Sequence, residues 1–232
     1  IPDFHRRGDE IGDLSIALGD MTEALWRRVD AIESFAADVS HEIKNPLTSL
    51  RSAVETAAHI SDPDQQRRLM AIILDDVQRL DRLITDISDA SRLDAELSRA
   101  EMEPVDLGRL LAALVQVHET AVAPGRCAIT FEAPPNGTLM VSGNEGRLVQ
   151  VFQNLLANAL SFSPEGGTVT ITASRALGTI EVAVEDEGAG IPEGSLDSIF
   201  ERFYSERPEG EQFGTHSGLG LSISRQVVEA HG

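Results

Sequence analysis

The sequence holds a single cysteine, Cys127, among 232 residues, so no internal disulfide framework exists and a reducing compartment is expected. No run of about 18 apolar residues occurs, which excludes a membrane-spanning helix in this chain. A secretory signal pattern is also missing. Basic residues are scarce: Lys and Arg number 19 against 38 Asp and Glu, a formal net charge of -19. That balance argues against nucleic acid as a partner, because neutralising phosphates needs Lys and Arg. A small anionic ligand is not excluded, since helix N-termini and a metal ion bind one without basic side chains. Glycine is missing between positions 20 and 107, and no aromatic residue lies between Phe35 and Phe131. The glycine-free stretch suits extended helices. The other 16 glycines punctuate the chain from 108 onward, as suits a mixed domain of sheet and helix.

The first part has coiled-coil spacing. Ile11, Leu14, Leu18, Met21 and Leu25, then Val29, Ile32, Ala36, Val39 and Ile43, recur at alternating steps of three and four. Two adjoining steps of four, at Met21–Leu25–Val29, form a stutter that marks a seam between helical modules. The pattern continues through Pro46, Leu50, Ala53, Ala57 and Ile60 and breaks at Ser61-Asp62-Pro63-Asp64, where Asp62 caps and Pro63 opens a second helix. That helix runs from about Gln65 to Ala100, with Leu69, Ile73, Val77, Leu80, Ile84 and Ile87 on one stripe. Two long helices and a short turn predict an antiparallel hairpin, whose narrow stripes are buried by pairing into a dimeric four-helix bundle. Pro104 ends the helical half. Asp106 then caps a helix over 107–121. Strands are expected at 128–132 and 139–141, a helix at 145–160, antiparallel strands at 168–173 and 179–185, and a last helix over 219–231. The chain stops at Gly232 with no strand to finish the sheet.

Four short patterns carry chemistry. In Ser40-His41-Glu42-Ile43-Lys44-Asn45-Pro46, His41 and Asn45 share a helix face, and Pro46 removes a donor, which predicts a bend. An imidazole titrating near pH 6.5 offers a free ring nitrogen as nucleophile, and Glu42 could hold the other ring N–H. Asn154 and Asn158 lie four apart on one face, with amide oxygens suited to a hard metal and amide nitrogens suited to phosphate. Asp186-Glu-Gly-Ala-Gly190 follows a strand, so a buried carboxylate could accept from an exocyclic amine while Gly188 and Gly190 allow close approach. Gly214-Thr-His-Ser-Gly-Leu-Gly220 opens the last helix and could cradle phosphate, although it is neither a Walker loop nor a dinucleotide fingerprint. Each alone has a plainer meaning: a solvated His–Glu pair, a polar stripe, a turn and a surface loop.

Their order is specific. His-Glu-x-x-Asn-Pro, Asn-x-x-x-Asn, Asp-x-Gly-x-Gly, Phe200-Glu-Arg-Phe203 and Gly-Leu-Gly-Leu follow one another, and together they resemble the H, N, G1, F and G2 boxes of two-component sensor histidine kinases. Asp9-Glu-Ile-Gly12 is similar to the start of the second helix of a HAMP relay module. The strings around His41 and around Phe200–Pro208 resemble alphaproteobacterial ChvG/ExoS-type kinases. The resemblance implies three parts: 1–31, the end of a HAMP-like module with a signalling coiled coil; 32–103, the all-α dimerisation and phosphotransfer hairpin; and 104–232, an α/β sandwich ATP-binding domain lacking its last strands. It implies His41 as phosphoacceptor, Glu42 as its general base or acid, and Asn45 as the group that positions water for dephosphorylation. Asn154 would ligate Mg²⁺ and Asn158 would contact phosphate or metal. Asp186 would bind the adenine amino group, with Gly188 and Gly190 lining the base pocket. Gly218 and Gly220 would sit at the triphosphate, and Phe200 and Phe203 would anchor a lid over 205–217.

The sequence departs from the family where many relatives carry basic residues; here Ser161 and Ser205 stand. Arg202, Arg207 or His216 would then assist Mg²⁺ and backbone N–H groups at the phosphates. The implied function is ATP-dependent autophosphorylation of a homodimer and transfer to the receiver domain of a response regulator. This chain would be the cytoplasmic portion of an inner-membrane protein, attached through segments outside it. Three alternatives stay open: a phosphatase-dominant regulator of the same partner, a dimeric scaffold with a degenerate nucleotide site, and a gyrase- or chaperone-type ATPase. The His-Glu-x-x-Asn-Pro hairpin argues against the last.

Overall fold

Two long helices, α1 (Glu10–Ala57) and α2 (Pro63–Leu97), take up most of the glycine-free stretch, α1 beginning ahead of it. The structure is a computed structural model that describes residues 10–97, 102–121, 127–134, 138–176, 178–204 and 217–232. The break between the helices follows the expected chemistry. Asp62 Oδ1 accepts from the Asp64 N–H at 2.9 Å, the Asp62 carbonyl accepts from the Gln66 N–H at 3.0 Å, and Pro63 is the first helical residue. The Gln66 side chain adds a bond to the Ile60 carbonyl at 2.7 Å. The bend expected at Pro46 does not interrupt the helix. α1 runs through it, and the Pro46 ring is almost fully buried, so packing offsets the one backbone bond it forfeits.

The chain divides into two compact units, Ile1–Leu80 and Asp81–Gly232, with the division inside α2. In the first unit the heptad residues Ile11, Leu14, Leu18, Met21, Leu25, Val29 and Ile32 are all exposed in the single chain, as are Met70, Leu74 and Val77 of α2. Apolar stripes of this length normally face a partner helix. No helix among the described residues is long and apolar enough to cross a membrane.

The second unit adds β1 (Glu103–Asp106), α3 (Leu107–Ala121), β2 (Cys127–Glu132), β3 (Met140–Gly143), α4 (Glu145–Phe162), β4 (Gly167–Ala176), β5 (Thr179–Glu185), two 3₁₀ turns (Glu193–Ser195 and Ser198–Phe200) and α5 (Gly220–His231). Alternation along β4 buries Val169, Ile171 and Ala173. These join Ile129 of β2, Leu110, Leu111 and Leu114 of α3, and Leu148, Phe152, Leu156 and Ala159 of α4 in one core. The result is helices on one face of a sheet, an α/β sandwich. The sheet order is β2-β4-β5. β4 and β5 pair antiparallel as their patterns suggested, but β2 pairs with β4 in parallel, because the chain returns through β3 and α4 before entering β4. β1 was not expected. It forms a separate two-stranded sheet with β3, where Val105 faces Val141.

The caps hold the helices in register with the strands. Asp106 accepts from the Arg109 N–H at 3.2 Å at the start of α3, and Asn144 accepts from the Arg147 N–H at 3.1 Å at the start of α4. The Asn144 N–H in turn donates to His231 Nε2 at 3.0 Å, tying α4 to the end of α5. Leu156 has no exposed surface and sits at the centre of this core. Leu156→Ala is expected to lower unfolding stability by about 2–5 kcal/mol. Denaturant titration followed by circular dichroism checks this, and a loss under about 1 kcal/mol would place Leu156 outside the core.

Candidate functional site

His41, in the middle of α1, is exposed, and Asn45 one turn later is exposed as well. The two therefore present an imidazole and an amide on one accessible face. Glu42 is engaged by the second helix of the hairpin. Its Oε2 lies 3.3 Å from Nη2 of Arg79 on α2, and both side chains are largely covered, at 26% and 19% exposure. Arg79 was not singled out in the sequence, because a contact spanning 37 positions leaves no local signature.

In the second unit, α4 is the wall against which two glycine-rich segments close. Asn154 Nδ2 donates to the Gly220 carbonyl at 3.1 Å and approaches Ser224 Oγ at 3.4 Å. A Cβ at Gly220 would stand 3.4 Å from Asn154 Cγ, so the start of α5 is drawn onto this side chain. The amide nitrogen is thus occupied, while Asn154 Oδ1 has no bond among the described residues. Asn158, one turn on, is half-buried and its side chain makes no hydrogen bond among the described residues. At the far end of α4, a Cβ on Gly188 would lie 2.7 Å from the Phe162 carbonyl oxygen, which no side chain could tolerate. Asp186 Oδ1 accepts from the Gly188 N–H at 2.8 Å, folding the loop into an Asx turn. The sequence reading anticipated a buried carboxylate here. Asp186 is instead exposed, because it lies one residue beyond β5, which pairs on one side only among the described residues. Gly190 takes φ +76 in open space.

The two ends of segment 205–216 are pinned together. The Phe203 N–H donates to the Gly218 carbonyl at 2.9 Å, Phe203 has φ 62, and a Cβ on Gly218 would lie 2.7 Å from Phe203 Cα. Phe200 is partly exposed and lies under the Arg225 guanidinium, 5.6 Å from its centroid. Arg202 neighbours Phe203 in sequence. Arg207 and His216 lie outside the described residues, as does Ser205.

Among the described residues no group of three or more His, Cys, Asp or Glu could cage a metal. The donor chemistry fits Mg²⁺ held in another way. That ion takes few protein ligands and shares substrate phosphate oxygens, and Asn154 Oδ1 is a hard oxygen left free for it.

Residues 31–96 match the His Kinase A (phospho-acceptor) domain, and residues 143–232 match the Histidine kinase-, DNA gyrase B-, and HSP90-like ATPase family. Over its whole length the chain is 53% identical to Sensor protein ChvG of Rhizobium meliloti and 54% identical to Sensor protein ChvG of Agrobacterium fabrum. The chain belongs to the two-component sensor histidine kinases. It spans about two fifths of those curated relatives, 41% and 40% of their lengths. Among solved structures, histidine kinase ThkA in complex with response regulator protein TrrA aligns with a TM-score of 0.71 at 25% identity, covering 96% of this chain and 61% of that one.

In this member of the family the second unit includes the C-terminal part of α2, whose acidic side chains meet elements of the α/β sandwich. Asp89 Oδ2 accepts from Gln150 Nε2 of α4 at 3.1 Å, and Gln150 Oε1 accepts from Arg147 at 2.7 Å. Asp86 lies close enough to the Ser217 hydroxyl, next to Gly218, for that hydroxyl to favour its charged form. Burial raises the Asp86 carboxyl above its ordinary value of 3.8; Ser217 and Arg82 oppose that rise and Asp89 adds to it. The folded protein therefore binds this proton more tightly than the unfolded chain does. Ionised Asp86 costs stability at neutral pH, and the cost disappears as pH falls through the raised value. Asp86→Asn is accordingly expected to unfold at a higher temperature than wild type at pH 7. The gap should close as pH approaches 3.8. Melting curves at both ends test this, and a gap that is constant or widens on acidification contradicts it.

Proposed function

We propose that this chain is the catalytic core of a homodimeric sensor kinase, which phosphorylates itself on His41 from ATP and passes the phosphoryl group to an aspartate of a response regulator. The observation that carries the reading is the presence, on one chain, of an exposed helical His beside a Glu and a second unit in which Gly188 and Gly220 close onto α4, the helix that carries Asn154. The likeness to ThkA, crystallised with its regulator TrrA, supports a regulator as partner. The exposed heptad stripe of α1 supports a second copy as the other. The relatives named as sensor proteins support placing this chain on the cytoplasmic side of an inner membrane, attached through segments outside it.

The residues divide the chemistry as follows. Asp186, exposed and fixed by its Asx turn, accepts from the adenine amino group, and the tight approach of Gly188 to Phe162 shapes the base pocket. Asn154 Oδ1 and Asn158 hold Mg²⁺ and phosphate oxygens, and when bound Mg²⁺ offsets the negative charge of the triphosphate. The backbone N–H groups at the start of α5, brought in by the Asn154–Gly220 bond, face the phosphates. Arg202, and Arg207 or His216 from the 205–216 segment, add positive charge. Phe200 and Phe203 anchor that segment at its N-terminal end.

A ring nitrogen of His41 then attacks the γ-phosphorus. The N–P bond forms as the bond to the β–γ bridging oxygen breaks, and ADP leaves with the electron pair. Glu42 takes up the charge that develops on the other ring N–H. In the second step an aspartate oxygen of the regulator attacks phosphorus, the N–P bond breaks and His41 is restored. The exposed Asn45 amide on the same face supports a further activity, placing water for hydrolysis of the phosphorylated regulator.

Incubation with γ-labelled ATP and Mg²⁺ should give a base-stable, acid-labile label on wild type and none on His41→Gln; equal labelling of the variant contradicts the assignment. Asp186→Asn keeps an oxygen for the Gly188 N–H but loses the charge. It is expected to weaken ATP binding at least about tenfold, or 1.4 kcal/mol, with an unchanged melting point. Calorimetry checks this, and wild-type affinity would remove Asp186 from the base pocket.

A further inference from the structure

Arg79 is a costly residue to keep where it stands. Its Nη2 meets Glu42 at 3.3 Å, but its Nε is buried with no partner among the described residues, and Asp76 Oδ2, one turn earlier on α2, is buried and likewise unpaired among them. A buried donor without an acceptor is destabilising, and an apolar side chain of similar length would cover the same surface without that penalty. Packing alone therefore does not account for an arginine at this place. What the arginine does accomplish is specific. It crosses from α2 to α1 and holds one oxygen of the carboxylate that directly follows the phosphoacceptor. The pair is largely covered, unlike exposed ion pairs whose net effect is close to zero. Glu42 has three rotatable side-chain bonds and, as the immediate neighbour of His41, reaches the imidazole from only part of its range. Anchoring Oε2 removes most of that freedom. Oε1 is left without a partner among the described residues.

We propose that Arg79 is a positioning residue for the phosphoryl-transfer reaction: it fixes Glu42 through Oε2 so that Oε1 is available to the ring N–H of His41. This rests on the reading of His41 as phosphoacceptor. As one ring nitrogen bonds the γ-phosphorus and ADP departs, the imidazole becomes cationic. The proton on its other nitrogen passes to, or is held by, the Glu42 carboxylate, which Arg79 keeps in place. Arg79 touches neither ATP nor His41; its effect runs through Glu42. It belongs to the hairpin and not to the nucleotide site, so ATP binding is untouched.

The test is a double-mutant cycle on the whole chain, reading maximal autophosphorylation rate and KM for ATP. Arg79→Met is expected to lower the maximal rate about tenfold with KM unchanged, because misplacing a reacting group costs rate and not substrate affinity. In a Glu42→Gln background the same change is expected to have no further effect, since the carboxylate that takes up the imidazole proton is gone whether or not Arg79 holds the side chain. Arg79→Lys, which retains the charge, is expected to recover most of the rate, and it carries the test if Arg79→Met loses helical circular dichroism. A wild-type rate for Arg79→Met overturns the proposal. So does an equal slowing of the wild-type and Glu42→Gln proteins, which is the mark of a purely structural role, or an Arg79→Lys rate as low as that of the disabled variant. Failure of the wild type to label at His41 contradicts the functional reading itself; normal labelling of His41 that is insensitive to Arg79 contradicts this proposal alone.

Discussion

The close approach of backbone to α4 is the constraint on which the second unit depends. Two segments far apart in the chain reach this helix, one of them at a point where a side chain would block it. Gly188 lies where a Cβ would sit 2.7 Å from the Phe162 carbonyl, and Gly220 packs against the Asn154 side chain. One amide then does two things. Its nitrogen bonds the Gly220 carbonyl and draws in the start of α5, and its oxygen is left over. The sandwich core of Leu148, Phe152, Leu156 and Ala159 holds the opposite face of α4 against the sheet. Function is laid onto this frame by short turns: the Asx turn of Asp186 at one end, the Phe203–Gly218 pin at the other.

Charge imposes a second constraint. Residues up to Asp106 carry 12 basic against 23 acidic side chains, and those beyond carry 7 against 15. A domain proposed to hold a polyanion is thus itself acidic, and it lacks basic residues at Ser161 and Ser205. Backbone N–H groups, a divalent cation and a few arginines must supply the attraction, which makes the geometry at the start of α5 more important than any single cation. The same acidity reaches the end of α2, where Asp86 and Asp89 meet Ser217 and Gln150. There, burial works against ionisation rather than with it.

The hairpin was readable because its information is local: heptad steps, then Asp62 and Pro63 at the break. The nucleotide-domain helices were readable for the same reason, through Asp106 and the amphipathic run after Asn144. What escaped was long-range. β1 is four residues with a proline and acquires meaning only opposite β3. Alternation predicts a strand but not its direction, so the parallel pairing of β2 with β4 had no signal. Pro46 reads as a bend within a continuing heptad, and the burial of its ring has no local signal. The Glu42–Arg79 pair and the Asp86–Ser217 contact join positions with no shared pattern. Asp186 was identified by type and place, yet its exposure depends on which strands flank β5. Arg207 and His216, which lie outside the described residues, were named because Ser161 and Ser205 stand where many relatives carry basic residues.

The central claim is that a nucleotide held against α4 delivers its terminal phosphoryl group to one imidazole on α1. The most direct measurement is to locate that group after brief incubation with ATP and Mg²⁺, by tandem mass spectrometry under neutral to alkaline conditions that preserve phosphoramidates. The account predicts a single phosphoryl group on His41. A phosphoryl group on another residue, or an unmodified chain after ATP binding has been demonstrated, would contradict it.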